Sequence, residues 1–283
     1  MKFITFIFAI LFPLNANSQS NSFYIFNEKR NPVEFASIVN QNNKKFTYSN
    51  ERGEFTLEVS EGDTLVFSHV NYEDLKINIL SKNKISDTIF LTKKSHVLNE
   101  VIVKPSETEV AQYGNITEKK SSYALSLNTS YAFEVQTPQL NGYLSSIEIP
   151  IKTKRRYHSE GYLVIQVFRY FDQKSGFTGP IGSIKYFNIE DLLKENAIKF
   201  HLGVELSDEA ENYFLYLNRV VPDKVFDERE EKLSVNPLLY YDNKKSELKG
   251  FVKHALFDDW YSLESWFENV PIIDIRLNVE VSK

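Results

Sequence analysis

The sequence predicts an all-β protein of two sandwiches in series, a seven-stranded one followed by a larger, jelly-roll-like one. Three observations carry this. The 283 residues include 22 Phe and 16 Tyr, and aromatic side chains favour strands. Apolar residues fall in many short runs of period two, separated by Gly, Pro, Asn and Asp. No stretch keeps a 3.6-residue period over three turns, as a helical domain would. The length allows two modest domains, and 42% apolar with 25% charged residues suits a globular, soluble chain.

Residues 1–18 read as a secretory signal. Lys2 supplies the positive start, and Phe3 to Leu14 is apolar apart from Thr5 and Pro13. Ala16-Asn17-Ser18 puts small residues at the −3 and −1 positions, so cleavage is expected before Gln19. The run is too short for a stable span, and no later segment reaches 18 apolar residues, so no membrane span is expected. The alternative reading of this run is a buried N-terminal strand or helix. The chain has no Cys, which excludes a lipoprotein anchor, disulfides and Cys-based zinc sites. Lys2 is the only charge in the signal, so the net charge of −5 becomes −6 on its removal. Nucleic-acid binding would call for a basic surface, so no nucleic-acid partner is expected.

The strands follow in order. Tyr24 and Phe26 open the first, and Val33 to Val39 forms the second after Asn31-Pro32. Phe46 to Ser49 returns after a polar turn, and Asn50-Glu51-Arg52-Gly53 turns again, with Gly free to take a positive φ. Phe55, Leu57 and Val59 alternate with Thr56 and Glu58, the pattern of a half-buried strand. Thr64 to His69, then Leu75, Ile77 and Ile79, then Ile89 and Leu91, and finally Val101 and Val103 complete the set. Residues 105–120 are polar and read as a linker. Residues 121–283 resume the strand pattern with Leu125-Leu127, Tyr131-Phe133, Leu144–Ile151, Tyr162–Phe171, Ile184–Ile189, Ile198–Leu202, Tyr213–Val221, Leu238–Tyr241 and Ile272–Val281. Lys174-Ser175-Gly176 and Thr178-Gly179-Pro180 read as an exposed loop, and Glu190–Asn196 as one helical turn. Strands this short and numerous fit a two-sheet sandwich or jelly roll.

Four stretches of the first region carry a resemblance. They are Pro32-Val33-Glu34-Phe35-Ala36-Ser37-Ile38, Thr47 to Phe55 around Arg52-Gly53, Gly62 to Tyr72, and Leu98-Asn99-Glu100-Val101-Ile102-Val103. Residues 19–104 resemble the carboxypeptidase-regulatory-like, transthyretin-type sandwich. The family pattern has Asp-Gly at Arg52-Gly53 and Gly-Tyr at Asn71-Tyr72. The resemblance implies an exported accessory domain without an active site, found beside zinc peptidases or ahead of outer-membrane receptors. The rest of the chain is too short for a receptor barrel. Residues 121–283 more loosely resemble a jelly-roll-type domain of small exported proteins, which implies no activity.

The five histidines, His69, His96, His158, His201 and His254, form no HExxH spacing. There is no Gly-x-Ser-x-Gly elbow and no phosphate-binding glycine loop. Asp258-Asp259 beside Trp260, with Glu264 and Trp266 nearby, is the most suggestive cluster: a ring can pack on a sugar face while carboxylates take hydroxyls. Tyr241, next to Tyr240, is a further ligand candidate of the same kind. The competing reading is that the rings fill the core. Asp172, Asp223, Asp227 and Asp242 could offer oxygens to calcium, but without EF-hand spacing. The expected protein is therefore non-catalytic: a cell-envelope binding or scaffolding protein, exported and periplasmic or outer-membrane associated, possibly accessory to an uptake system. Its expected partner is an envelope protein or a glycan, with no metal and no cofactor. The alternative is a carbohydrate-binding module or a glycan hydrolase using paired acids of the second domain.

Overall fold

The structure is a computed structural model that describes residues 22–80, 86–94, 108–115, 121–136, 142–172, 176–206, 213–227, 235–242, 247–257, 259–265 and 270–282. The signal segment, Val101–Val103, Asp258 and Trp266 lie outside the described residues.

The first sandwich holds β1 (Ser22–Asn27), β2 (Ser37–Asn40), β3 (Phe46–Tyr48), β4 (Glu54–Thr56), β5 (Thr64–His69), β6 (Tyr72–Asn78) and β7 (Thr88–Leu91). Three strands run β4-β1-β7 and four run β3-β2-β5-β6. Alternation does the work expected of it: Phe23 and Ile25 of β1 point inward and meet Phe55, Phe67, Ile38 and Leu91. Phe23 stacks on Phe55 at 5.3 Å. Each such side chain contributes roughly 1.5–3 kcal/mol by leaving water. Gly53 has φ +72 and a Cβ there would collide with the Ile25 carbonyl oxygen, so this turn requires glycine. The second strand starts later than the sequence suggests. Phe35 interrupts it at φ +56, and β2 begins at Ser37.

The second sandwich holds β8 (Thr108–Tyr113), β9 (Ser121–Ala124), β10 (Thr129–Val135), β11 (Gly142–Lys152), β12 (Tyr162–Asp172) and β13 (Gly176–Asn188). It continues with helix α1 (Ile189–Leu192), β14 (Ala197–Leu206), β15 (Tyr213–Val220), β16 (Leu238–Asp242), β17 (Gly250–His254), β18 (Tyr261–Ser262), β19 (Ile272–Ile273) and β20 (Arg276–Ser282). One sheet runs β13-β12-β15-β10-β17-β18; the other runs β19-β16-β11-β20-β8, with β14 on β11 and β9 on β16. The chain passes back and forth between the sheets, and these pairings are antiparallel. The fold is thus all-β, as expected. Asn188 caps α1 by accepting from the Glu190 amide at 2.9 Å.

Two segments differ from their expected roles. The stretch 105–120, read as a linker, contains β8, which pairs with β20 from Thr108–Ser282 to Tyr113–Leu277. Its polar sequence suits an edge strand, half of which faces water. The Gly176–Pro180 loop belongs to β13, the edge of its sheet, where Pro180 pairs with Phe168. Proline is tolerated at an edge because its missing N–H faces away from the ladder.

Strand β15 is buried along its whole length, yet it carries Arg219 in its apolar run. Arg219 is fully buried. Its Nε donates to the Asn236 carbonyl at 2.7 Å, Nη1 to the Tyr162 carbonyl at 2.7 Å and Nη2 to the Glu160 carbonyl at 2.7 Å. Burial lowers its pKa to about 10, so it stays protonated at neutral pH. Carbonyl dipoles, not a carboxylate, hold this charge among the described residues.

The first sandwich has a core of its own, but the core of the second extends across the junction into it. Phe35, Val39, Phe46, Tyr48 and Val70 of the first belong to the cluster that fills the second. Phe46 and Phe226 exchange backbone hydrogen bonds at 3.0 and 2.8 Å, and their rings stack at 5.1 Å. Phe35 lies 4.7 Å from the Tyr162 ring and 4.8 Å from the Tyr186 ring.

Candidate functional site

A cavity of about 70 Å³ lies between the sandwiches. The first contributes the end of β5 (Ser68, His69), Asp74 of β6 and Lys94 just after β7. The second contributes Ser130 of β10, Tyr216 and Asn218 of β15, Lys253 of β17, and Trp260. Alternation turns Tyr216 and Asn218 of β15 towards the junction together, while the register shift between Phe67 and His69 lets consecutive Ser68 and His69 both line it.

The polar groups are held in defined states. Lys253 Nζ reaches across to Asp74 Oδ2 at 2.7 Å. Ser130 Oγ and Tyr216 Oη lie 3.0 Å apart, and burial pushes the Tyr216 phenol up to about 12. His69 Nδ1 accepts from the Asn71 amide at 3.1 Å, so the neutral ring carries its proton on Nε2. Burial, with Lys94 adding repulsion, brings His69 down to about 3. Burial also lowers Lys94, an effect opposed by Asp74 and Glu73. Asn218 is buried and its Oδ1 has no hydrogen-bond partner among the described residues. The Asn128 amide donates to Tyr48 Oη at 2.8 Å across the junction.

At 10–15 Å³ per water the space holds on the order of five waters. That is less than half of the roughly 150 Å³ that admits benzene, and the recess is partly open to solvent, with Asp74 exposed among its lining residues.

The residues expected to grip a ligand do not form one platform. Trp260 is buried, with its ring edge-on to Phe177 at 4.9 Å and Phe171 at 5.6 Å. It closes one wall of the junction cavity and does not offer a face to solvent. Asp259 beside it is exposed. Tyr241 sits in β16, on the other sheet, with Tyr123 at 6.4 Å. Asp258 and Trp266 are outside the described residues. Asp223 Oδ1 accepts from Asn50 Nδ2 at 3.0 Å and so ties the sandwiches together. Among the described residues no three His, Asp or Glu side chains converge as a metal site. His69, Asp74, Lys94, Lys253 and Asn218 were not singled out by sequence. The one signal was polar Asn218-Arg219 inside the apolar run Tyr213–Val221.

The fold and junction define a two-sandwich β protein with its enclosed polar groups between the sandwiches. The family model described as the CarboxypepD_reg-like domain matches residues 24–103, and the first sandwich is a domain of that kind. The match spans between a quarter and a third of the chain. No curated protein matches the chain. Among the described residues no helix is long and apolar enough to cross a membrane.

Proposed function

We propose that this chain is a non-catalytic binding or scaffolding protein of the cell envelope, exported by its first 18 residues and accessory to an outer-membrane uptake system. The carrying observation is the core that extends across the junction at the Phe46–Phe226 bridge. It makes the carboxypeptidase-regulatory-like domain one wall of a rigid body with fixed outer surfaces, as a scaffold needs. Export is supported by Lys2 and the apolar run after it. In the junction burial holds His69 neutral and Lys253 is paired with Asp74, which suits holding a shape better than transferring protons. The glycan-binding alternative has less support, because Trp260 spends its ring in the core.

The test is affinity capture with the full tagged chain after in-cell cross-linking, together with cell fractionation. Recovery in the envelope fraction with an outer-membrane protein is expected. Retention in the cytoplasm, or glycan turnover abolished by Asp259→Asn, would overturn the reading.

A further inference from the structure

The end of β11 and the turn that leads to β12 carry Lys152, Lys154, Arg155 and Arg156 in five residues, in a chain whose net charge is negative. Lys152, Arg155 and Arg156 are exposed, and Lys154 is half-buried. None of the four makes an ion pair among the described residues. Crowded like charges repel one another and work against folding. A turn that served only to connect strands would be more stable with neutral residues.

The turn is nevertheless held firmly from below. Asn236 is fully buried. Its Oδ1 accepts from the Lys154 amide at 2.9 Å, and its Nδ2 donates to the Lys154 carbonyl at 2.9 Å and to Ser159 Oγ at 2.9 Å. Arg219 then grips the Asn236 carbonyl and, through Glu160 and Tyr162, the far end of the same connection. On the surface the Tyr157 ring takes the Lys154 ammonium at 5.0 Å and the Arg156 guanidinium at 5.6 Å. The Lys154 backbone and the Lys154 and Arg156 heads on Tyr157 are thus positioned before any partner arrives, which lowers the ordering cost of binding, and Lys152 and Arg155 flank them as exposed cations.

We infer that this turn docks the protein on an anionic lipid surface, with lipid phosphates taken by Lys152, Lys154, Arg155 and Arg156. Guanidinium forks match phosphate oxygens in pairs. A dense phosphate plane compensates for the small number of cations, each worth about 1 kcal/mol near such a surface. The negative remainder of the chain disfavours a long polyanion such as nucleic acid, which would contact far more than one turn. The inference rests on the envelope reading and names one surface by which the protein would be held there.

The experiment is co-sedimentation of the purified full chain with phosphatidylcholine vesicles, with and without phosphatidylglycerol. Binding is expected only with phosphatidylglycerol and is expected to weaken as salt is raised. Arg155→Gln/Arg156→Gln should weaken it about tenfold or more. Lys29→Gln/Lys44→Gln changes the net charge equally at exposed positions of the first sandwich and should leave it intact. Equal binding to both vesicle types, no binding to either, or equal loss in both double variants would overturn the inference. So would inorganic phosphate or polyglutamate competing at parity with the vesicles, which would identify a soluble anion or an acidic chain as the ligand. The measurement uses purified protein, so a negative result here leaves the capture result standing, and cytoplasmic retention leaves the vesicle result standing.

Discussion

Arg219 and Lys94 are both cations drawn out of water, and the chain treats them in opposite ways. Arg219 lies inside the second sandwich, with its donors on three backbone carbonyls at 2.7 Å. Lys94 lies at the junction, half-buried, facing a cavity and paired with no carboxylate among the described residues. The first arrangement fixes a shape, since every alternative position of the guanidinium strands carbonyls without donors. The second leaves an amine, its pKa lowered by burial, beside a small polar cavity. One buried cation is thus fully satisfied by backbone carbonyls, while the other faces a space between the sandwiches.

Four experiments bear on that contrast, from the largest effect to the smallest. Arg219→Met should cost about 4 kcal/mol of stability, because three buried carbonyls lose their donors. Arg219→Lys should recover only part of this, since one ammonium cannot span the fork. Urea unfolding measures both, and a loss under about 1 kcal/mol for Arg219→Met would show that the network does not hold the fold. Phe46→Ala should cost about 3 kcal/mol through the cavity it leaves and should split one unfolding transition into two. A single unshifted transition in calorimetry would mean that the sandwiches are not coupled through this ring.

The pH dependence comes third. His69 falls from 6.5 to about 3 on folding, so between those values the unfolded chain binds a proton that the folded chain refuses. Stability should therefore be intact above pH 6.5 and fall as pH drops towards 3, by about 1–2 kcal/mol at pH 5. His69→Asn, which keeps an acceptor for the Asn71 amide, should flatten that slope; an unchanged slope would assign it to other groups. Lys253→Met is last. Its partner Asp74 is 39% exposed, so breaking the pair should cost no more than about 1 kcal/mol. A much larger loss would mark the pair as part of the junction's core.

The first sandwich was largely legible in the sequence because period-two alternation and turn chemistry are local signals. Phe55 to Val59 and Leu75 to Ile79 show them plainly. The ends of elements were less legible where tertiary pairing decides. Thr108–Tyr113 becomes an edge strand only because β20 lies beside it, and Gly176–Pro180 becomes one because β12 does. The junction site was not legible. Its members come from β5, β6, β10, β15 and β17, and no spacing in one chain announces that His69, Lys94 and Asn218 will meet. Trp260 reads from sequence alone as either core or platform, because a large ring serves both; in the structure it is buried. The basic cluster Lys152–Arg156 is plain in the sequence, but its rigid support from Asn236 and Arg219 lies 63 or more residues further on.

Phe35 carries a last consequence. A bulky residue at φ +56 is uncommon and costs on the order of 1–3 kcal/mol. The ring's contacts with Tyr162 and Tyr186 offset that cost only while the sandwiches touch. The unusual φ is nevertheless held from within the first sandwich, where the Phe35 amide donates to the Ser49 carbonyl at 3.0 Å and the Ala36 amide to Ser49 Oγ at 2.9 Å. The domain that carries the ring therefore aims it at its socket, like a key cut before it meets the lock.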